Sequence, residues 1–342
     1  MRAWVINEHG GPEVFKQTKL PTPNPGPGEA RIRVTATSVN PVDYKIRSGA
    51  AEALCPELPA RLHGDVSGTI DQVGEGVDRF AIGDAVFGCI GGVAGTQGTL
   101  AEYAIADVDL LAHAPKSIPL EDAAALPLVT LTAWEGWDKI GLGVSTAESY
   151  RLGGIGANAH VLVHGGTGGV GHIALQLAKA RGAEVSTTVG SSDKAATAKA
   201  LGADNTILYR EEILEQYIQR LTDGRGFDAV FDTVGGAHIA TSVQAAKLNG
   251  QVACIQGRAE IDGGMLHARA ASLHLVFMLI PLLHRIGRAR HGRILTQAAK
   301  LVDAGQLKPL IDQQRFTFNQ IAEAHAYAES GAQVGKVLVV NE

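Results

Sequence analysis

The chain has 342 residues, too many for one small domain and too few for three ordinary ones, so two domains with a sizeable core are expected. Its 42 glycines, 45% apolar and 5% aromatic residues describe a compact α/β protein with many tight turns, and exclude a disordered or fibrous chain. A net charge of -5, with Lys and Arg scattered along the chain, excludes a broad basic surface for nucleic acid or an anionic membrane. The one basic run, residues 284–293 (HRIGRARHGR), reads as a solvated helix face. No apolar region of signal-peptide length follows the arginine of MRAWVINEHGG. The most apolar segment, 270–283, is too short to span a bilayer and carries His274 and Pro281, so a cytoplasmic protein is expected. Cys55, Cys89 and Cys254 are far apart and odd in number, which suits reduced thiols rather than a disulfide framework.

From residue 1 to about 112 the pattern is short β-like runs, AWVI, ARIRVTATSV, GTIDQVG, GDAVFGC and LAEYAIA, cut by turn signals such as GGPE and NPVD. This predicts an antiparallel β-rich domain. The prolines of 20–28 (LPTPNPGPG) lack an amide donor and fix φ, so this stretch is an exposed connector. Residues 117–140 open with Ser-Ile-Pro-Leu-Glu-Asp and continue as an alanine-rich helix predicted to bridge the domains. The period then changes to strand, glycine turn, helix: HVLVHGG into VGHIALQLAKARG, EVSTTV into SSDKAATAKALG, and DAVFDTVGG into a further helix. Such units predict a parallel sheet with right-handed crossovers. AKLNGQVACIQG supplies another strand and SLHLVFML is predicted as one more, followed by a helix over 288–304. The tail ends in a helix and an apolar strand that is expected to return to the first domain.

Gly166, Thr167, Gly168, Gly169, Val170 and Gly171 form G-x-G-x-x-G between an apolar strand and the helix HIALQLAKA. The first glycine permits the turn, the second lets the backbone approach a pyrophosphate, and the third lets helix and strand pack closely. A helix N-terminus then holds the anion, so dinucleotide binding is expected. The second strand, 184–189, ends in Val189-Gly190-Ser191-Ser192 where an NAD site would place a carboxylate. A carboxylate about 4 Å from a 2'-phosphate would cost roughly 4 kcal/mol per unit charge at an effective dielectric near 20, so its absence favours NADPH. Ser191, Ser192 and Lys194 are candidate phosphate contacts; the alternative is that Ser192 only caps the next helix and Lys194 is solvated. Asp193 keeps an NAD reading open, and Tyr209 is a candidate to border the adenosine.

The motifs HGGPEVF (9–15), SVNPVDYKIRSG (38–49), HGDVSGTIDQVGEGVDRFAIGDAVFG (63–88), HGGTGGVG, LGAD (201–204), FDAVFDTVGG and the terminal GKVLV together resemble the medium-chain dehydrogenase/reductase superfamily, within it the zinc-independent quinone oxidoreductase, zeta-crystallin-like branch. The resemblance covers nearly the whole chain. It implies an α/β fold with a GroES-like catalytic domain, 1–128 completed by 299–342, and a Rossmann cofactor domain over 129–298. It also implies a homodimer, and further cofactor contacts at Thr130, Val234, Gly257 and Lys336, the last near the cofactor phosphates.

Zinc-dependent relatives hold a catalytic metal at positions that correspond to Asn40, Gly64 and Leu128, none of which offers a thiolate or imidazole. The stretch after Cys89, IGGVAGTQG, lacks the cysteines of a structural zinc lobe, and His63, Asp65 and Cys55 match no standard ligand spacing. Without a Lewis acid, the expected acceptor is one whose charge delocalises after hydride addition, a quinone or an α,β-unsaturated carbonyl. Candidate catalytic residues are Asn40, as donor to the acceptor oxygen or orienter of the nicotinamide, Asp43, as orienter or turn former, and Tyr44, as proton donor or packed ring. Enone or enal reduction is the nearest alternative, and a dinucleotide-binding protein without turnover is the alternative of another class. The stretch 143–159 is longer than the usual link, as a surface loop or a lid. LHLVFMLIPLL suits core, a subunit contact or an acceptor-pocket wall.

Overall fold

Alternating burial along β3 (Glu29–Val39) sets up the first sheet: Ala30, Ile32, Val34 and Ala36 point into the core while the residues between them do not until the strand is covered on both faces. β3 pairs antiparallel with β4 (Asp65–Val73) on one side. On the other side it pairs with β6 (Tyr103–Asp107) along its first half and β15 (Val337–Val340) along its second. The sheet continues through β5 (Ala85–Cys89) and β7 (Leu111–His113), with β14 (Phe316–Thr317) beyond β15. A separate hairpin joins β1 (Arg2–Ile6) to β2 (Phe15–Lys19). The proline-rich stretch 20–26 has no regular structure, as its missing amide donors dictate. The computed structural model describes residues 1–143, 155–156 and 158–342; most of the expected loop or lid, 144–154 and 157, lies outside the described residues.

Two units result: Met1–Leu131 with Leu279–Glu342, and Thr132–Met278. The expected single helix over 117–140 is two, α2 (Leu120–Ala123) and α3 (Pro127–Ile140), because Pro127 can start a helix but not continue one. Earlier, α1 (Pro41–Arg47) likewise opens on a proline.

The second unit is a parallel sheet of β8 (His160–His164), β9 (Glu184–Val189), β10 (Asn205–Leu208), β11 (Phe227–Asp232), β12 (Ala246–Cys254) and β13 (Ser272–Leu275). Its spatial order is β10-β9-β8-β11-β12-β13, the doubly wound arrangement whose strand order reverses between β8 and β11. β8 and β11 are buried along almost their whole length, as strands covered by helices on both faces must be. Leu162, Phe227, Val230 and Val252 form the core under one set of helices.

Two sequence expectations shift. The predicted strand SLHLVFML stops at Leu275, where its pairing with Cys254 ends, and helix Ile280–His284 begins with Pro281 in its first turn. The chain also rejoins the first unit at Leu279, ahead of residue 299. The cause is helix Arg288–Asp303, which lies on the turn Val108–Leu110 and on β7: Arg288 donates to Asp107 at 2.9 Å, and Gly292 lies so close that a Cβ there would sit 2.6 Å from Asp109 O and 2.9 Å from Leu111 O. Among the described residues no helix is long and apolar enough to cross a membrane. Gly292→Ala is expected to cost about 1–3 kcal/mol by overpacking. Urea denaturation should show a lower midpoint with an unchanged slope, and an unchanged midpoint would show that helix and turn separate freely.

Candidate functional site

In the second unit the glycine loop follows β8 directly and opens helix Gly169–Ala180. A Cβ on Gly166 would lie 2.1 Å from Thr187 Oγ1 on the neighbouring strand, and one on Gly171 would lie 2.0 Å from Gly165 O. Both glycines are therefore demanded by packing. At Gly168 a Cβ would meet nothing nearer than Gly165 O at 3.2 Å, so this backbone is open to a ligand. Gly168 is the helix N-cap and brings no side chain to the first-turn amides, which leaves them for an anion; Thr167 is buried and Val170 half-buried beside it. The switch point of the sheet puts Asp232, at the end of β11, beside this loop. Thr233 Oγ1 donates to His164 O at 2.6 Å.

Asp232 accepts from Val234 N, Gly235 N and Ser242 Oγ, each at 2.8 Å, and lies 3.3 Å from His238 Nδ1. Burial pushes its carboxyl up, but the bonds from His238, Gly235 and Ser242 outweigh it and hold it well below the usual carboxylate range. His164 is held down to about 3 by burial and by His238. Val234 is exposed, and Gly257 packs against Leu275.

After β9, Ser191 and not Ser192 is the helix cap: its Oγ accepts from Lys194 N at 3.4 Å, and Ser192 is the first helical residue. Ser191, Ser192 and Asp193 are exposed and Lys194 half-buried. Tyr209 is also exposed, and its hydroxyl lies 3.2 Å from where a Gly190 Cβ would be. Arg210, absent from the sequence expectation, places its guanidinium 5.7 Å from the Tyr209 ring centroid. Its position next to Tyr209 was the available signal.

A buried polar cluster occupies the first unit. Asn40 follows β3, Asp65 begins β4 and Lys336 precedes β15, and the adjacency of these strands brings the three together. Asp65 is fully buried; its Oδ2 accepts from Asn40 Nδ2 and Ser38 Oγ, both at 2.7 Å, and its Oδ1 from Leu128 N at 2.8 Å. Lys336, 3% exposed, donates to Val39 O at 2.9 Å and to Asn40 Oδ1, and its Nζ lies 3.7 Å from Asp65. Its ammonium is thus committed inside this unit, whereas the resemblance expects it near the cofactor phosphates. Asn40 is likewise spent on Lys336 and Asp65, which fixes its amide orientation.

Asp43 accepts from Asn40 N at 2.7 Å, the local bond that starts α1. Burial, aided by the Asp65 charge and opposed by the Asn40 bond, pushes its carboxyl up to about 7. Burial lowers Lys336 against the opposing pull of Asp65 and Asp43. Tyr44 is half-buried, and burial followed by the charges of Glu329 and Asp43 raises its hydroxyl. Thr130 is fully buried, and its Oγ1 has no hydrogen-bond partner.

A second chain of buried groups was not legible in the sequence. Arg47 NH1 lies 3.3 Å from His325 Nδ1, His325 Nε2 lies 2.9 Å from His63 Nε2, and His63 Nδ1 lies 3.3 Å from Thr37 Oγ1. A guanidinium only donates, so His325 Nδ1 accepts, its Nε2 carries the hydrogen given to His63 Nε2, and His63 offers Nδ1–H to Thr37. Burial keeps both rings neutral, with His63 down at about 3. Beyond, Arg47 pairs with Glu329 at 2.8 Å. His63 and Asp65 are therefore committed, and among the described residues no group of three His, Cys, Asp or Glu side chains is placed to hold a metal ion. At Gly64 a Cβ would fall 2.8 Å from Gly91 O and 2.9 Å from Cys89 Sγ, which leaves no room for a side chain.

The raised Asp43 value has a stability consequence. Between the ordinary 3.8 and about 7 the folded protein holds a proton that the unfolded chain has lost, so this group's contribution falls as pH rises through that window. Asp43→Asn keeps the acceptor for Asn40 N and removes the titration. Urea midpoints of variant and parent measured from pH 4 to 8 should diverge in the variant's favour as pH rises; parallel curves would show that Asp43 does not hold the proton.

Residues 26–116 match the family model of the alcohol dehydrogenase GroES-like domain, and residues 201–339 that of the zinc-binding dehydrogenases. The NADPH-dependent alkenal/one oxidoreductase, chloroplastic, of Arabidopsis thaliana is 32% identical, over 99% of this chain and 79% of that protein. The chloroplast envelope quinone oxidoreductase homolog of the same plant is 31% identical over 99% and 98%. Among solved structures, an alcohol dehydrogenase superfamily protein from Novosphingobium aromaticivorans superimposes with a TM-score of 0.91 at 36% identity, covering 100% of both chains. The Escherichia coli quinone oxidoreductase complexed with NADPH gives 0.82 at 26%, covering 99% of this chain and 100% of that one. With the open glycine loop at the switch point of one unit and the GroES-like sheet of the other, these matches place the chain in the medium-chain dehydrogenase/reductase superfamily, among relatives named as quinone and alkenal oxidoreductases.

Proposed function

We propose that the chain is an NADPH-dependent reductase that delivers hydride to a quinone or another conjugated carbonyl without zinc. The observation that carries this reading is the filled metal position. Gly64 has no room for an imidazole, Asn40 is clamped between Lys336 and Asp65, and Leu128 offers only a backbone amide, itself given to Asp65. These residues do not fit zinc.

The dinucleotide does fit. Gly166 and Gly171 provide the tight turn and close packing, and Gly168 the open backbone. Lys194 and Arg210, with Ser191 and Ser192, supply positive charge and donors for a 2'-phosphate, and no carboxylate ends β9. NADPH, when bound, supplies the hydride. Without a Lewis acid, the acceptor that suits this protein spreads its new charge by conjugation. Asn40 and Asp43 form the fixed polar floor, and Tyr44 is the hydroxyl we assign to the acceptor oxygen. The relatives named as alkenal/one oxidoreductases favour enal or enone reduction as a second reading of the same chemistry.

We also propose a homodimer formed through β13, which has a single neighbour in its sheet, ends in the half-exposed Leu275 and is followed by the half-exposed Phe277. Leu275→Glu is expected to shift the sedimenting species from dimer to monomer; a monomeric parent would dismiss this assembly.

The activity test follows NADPH and NADH oxidation by chelator-treated protein with quinones, enones, enals and saturated aldehydes. NADPH-specific turnover of conjugated acceptors that survives chelation is expected. Zinc dependence, or activity confined to saturated carbonyls, would overturn the reading.

A further inference from the structure

A buried ammonium must be matched or it costs several kcal/mol of desolvation. Lys336 is 3% exposed and carries the one positive side-chain charge that contacts Asp65 and Asn40 among the described residues. Its partners are telling. Asn40 and Leu128 both donate to the Asp65 carboxylate, and Gly64, which leaves no room for a side chain, precedes Asp65 in the chain. The Lys336–Asp65 pair is therefore centred on Asn40, the polar floor of the reading above. A buried pair of this kind stabilises a fold little more than apolar side chains of equal volume, so stability alone gives no reason for it.

We infer that Lys336 is the resident cation of the reaction site. Its ammonium balances Asp65 and holds Asn40 in one amide orientation. The inference rests on the reductase reading above. Hydride addition transfers two electrons to the acceptor, converts NADPH to NADP+, and leaves one negative charge on the conjugated oxygen until a proton taken from solvent neutralises it. Lys336 holds the Asn40 amide in that orientation before the reaction begins, and so acts as a positioning residue rather than by touching the acceptor.

The test separates charge from packing. Lys336→Gln keeps hydrogen-bonding capacity and loses the charge; alone it leaves Asp65 uncompensated and should lower thermal stability. Asp65→Asn with Lys336→Gln removes both charges and should restore the melting temperature. In that double variant kcat for a quinone or enone is expected about 100-fold below the parent, with KM for NADPH within about threefold. Parental kcat in the double variant would overturn the inference and leave the reductase reading intact. A loss confined to KM for NADPH would overturn it too, by placing Lys336 at the cofactor. If the double variant does not fold, Lys336→Arg, which keeps the charge, should outpace Lys336→Gln; equal kcat values would overturn the inference. Absence of turnover in the parent itself overturns both readings.

Discussion

A carboxylate taken wholly out of water has to be met by donors on every side, and Asp65 imposes that condition on the first unit. Its partners, Ser38, Asn40, Leu128 and Lys336, come from the end of β3, the start of α1, the start of α3 and the start of β15. Three separated stretches of chain, at 38–40, 128 and 336, must converge on one residue. Sheet pairing makes this convergence possible: β3 lies between β4 and β15, and the antiparallel pairing brings the end of β3 beside the starts of β4 and β15.

The two candidate sites use different physics. The glycine loop is built by leaving side chains out. Gly166 and Gly171 are excluded from carrying a Cβ by neighbours about 2 Å away, and the helix that follows presents backbone amides. Its affinity for an anion comes from backbone dipoles, which need no counter-charge. The polar cluster works through side-chain charges instead, with burial raising Asp43 and lowering Lys336.

The sequence made local features readable and distant ones opaque. The loop at residues 166–171 was readable because strand, turn and helix are contiguous, and the missing carboxylate after β9 lies one strand further on. Asn40 and Asp43 were readable as a pair because three residues separate them. The contact of Lys336 with Asn40, 296 positions away, is opaque because only the sheet order reveals it. The His63–His325 contact spans 262 positions, and no spacing rule marks it. Ser191 took the capping role expected of Ser192 because a one-residue shift in a helix start is decided by backbone angles and not by residue type. The early return at Leu279 depends on Gly292, whose close approach to two carbonyl oxygens has no signature beyond a glycine in a helix.

Discontinuity of the first unit has a consequence for how the molecule comes into being. The second unit is one uninterrupted stretch, Thr132–Met278, and its strands find partners among neighbours already synthesised. The first unit has no such freedom: β3 emerges early, yet the strand that covers its second half ends at Val340. During synthesis at about 5–20 residues per second, Asp65 waits more than 250 positions for its ammonium, so the nascent chain carries a finished nucleotide fold beside an unfinished charge cluster. The Asp65 carboxylate can be sealed from water only once Lys336 and β15 have been made, long after the strands of the second unit are complete at Leu275.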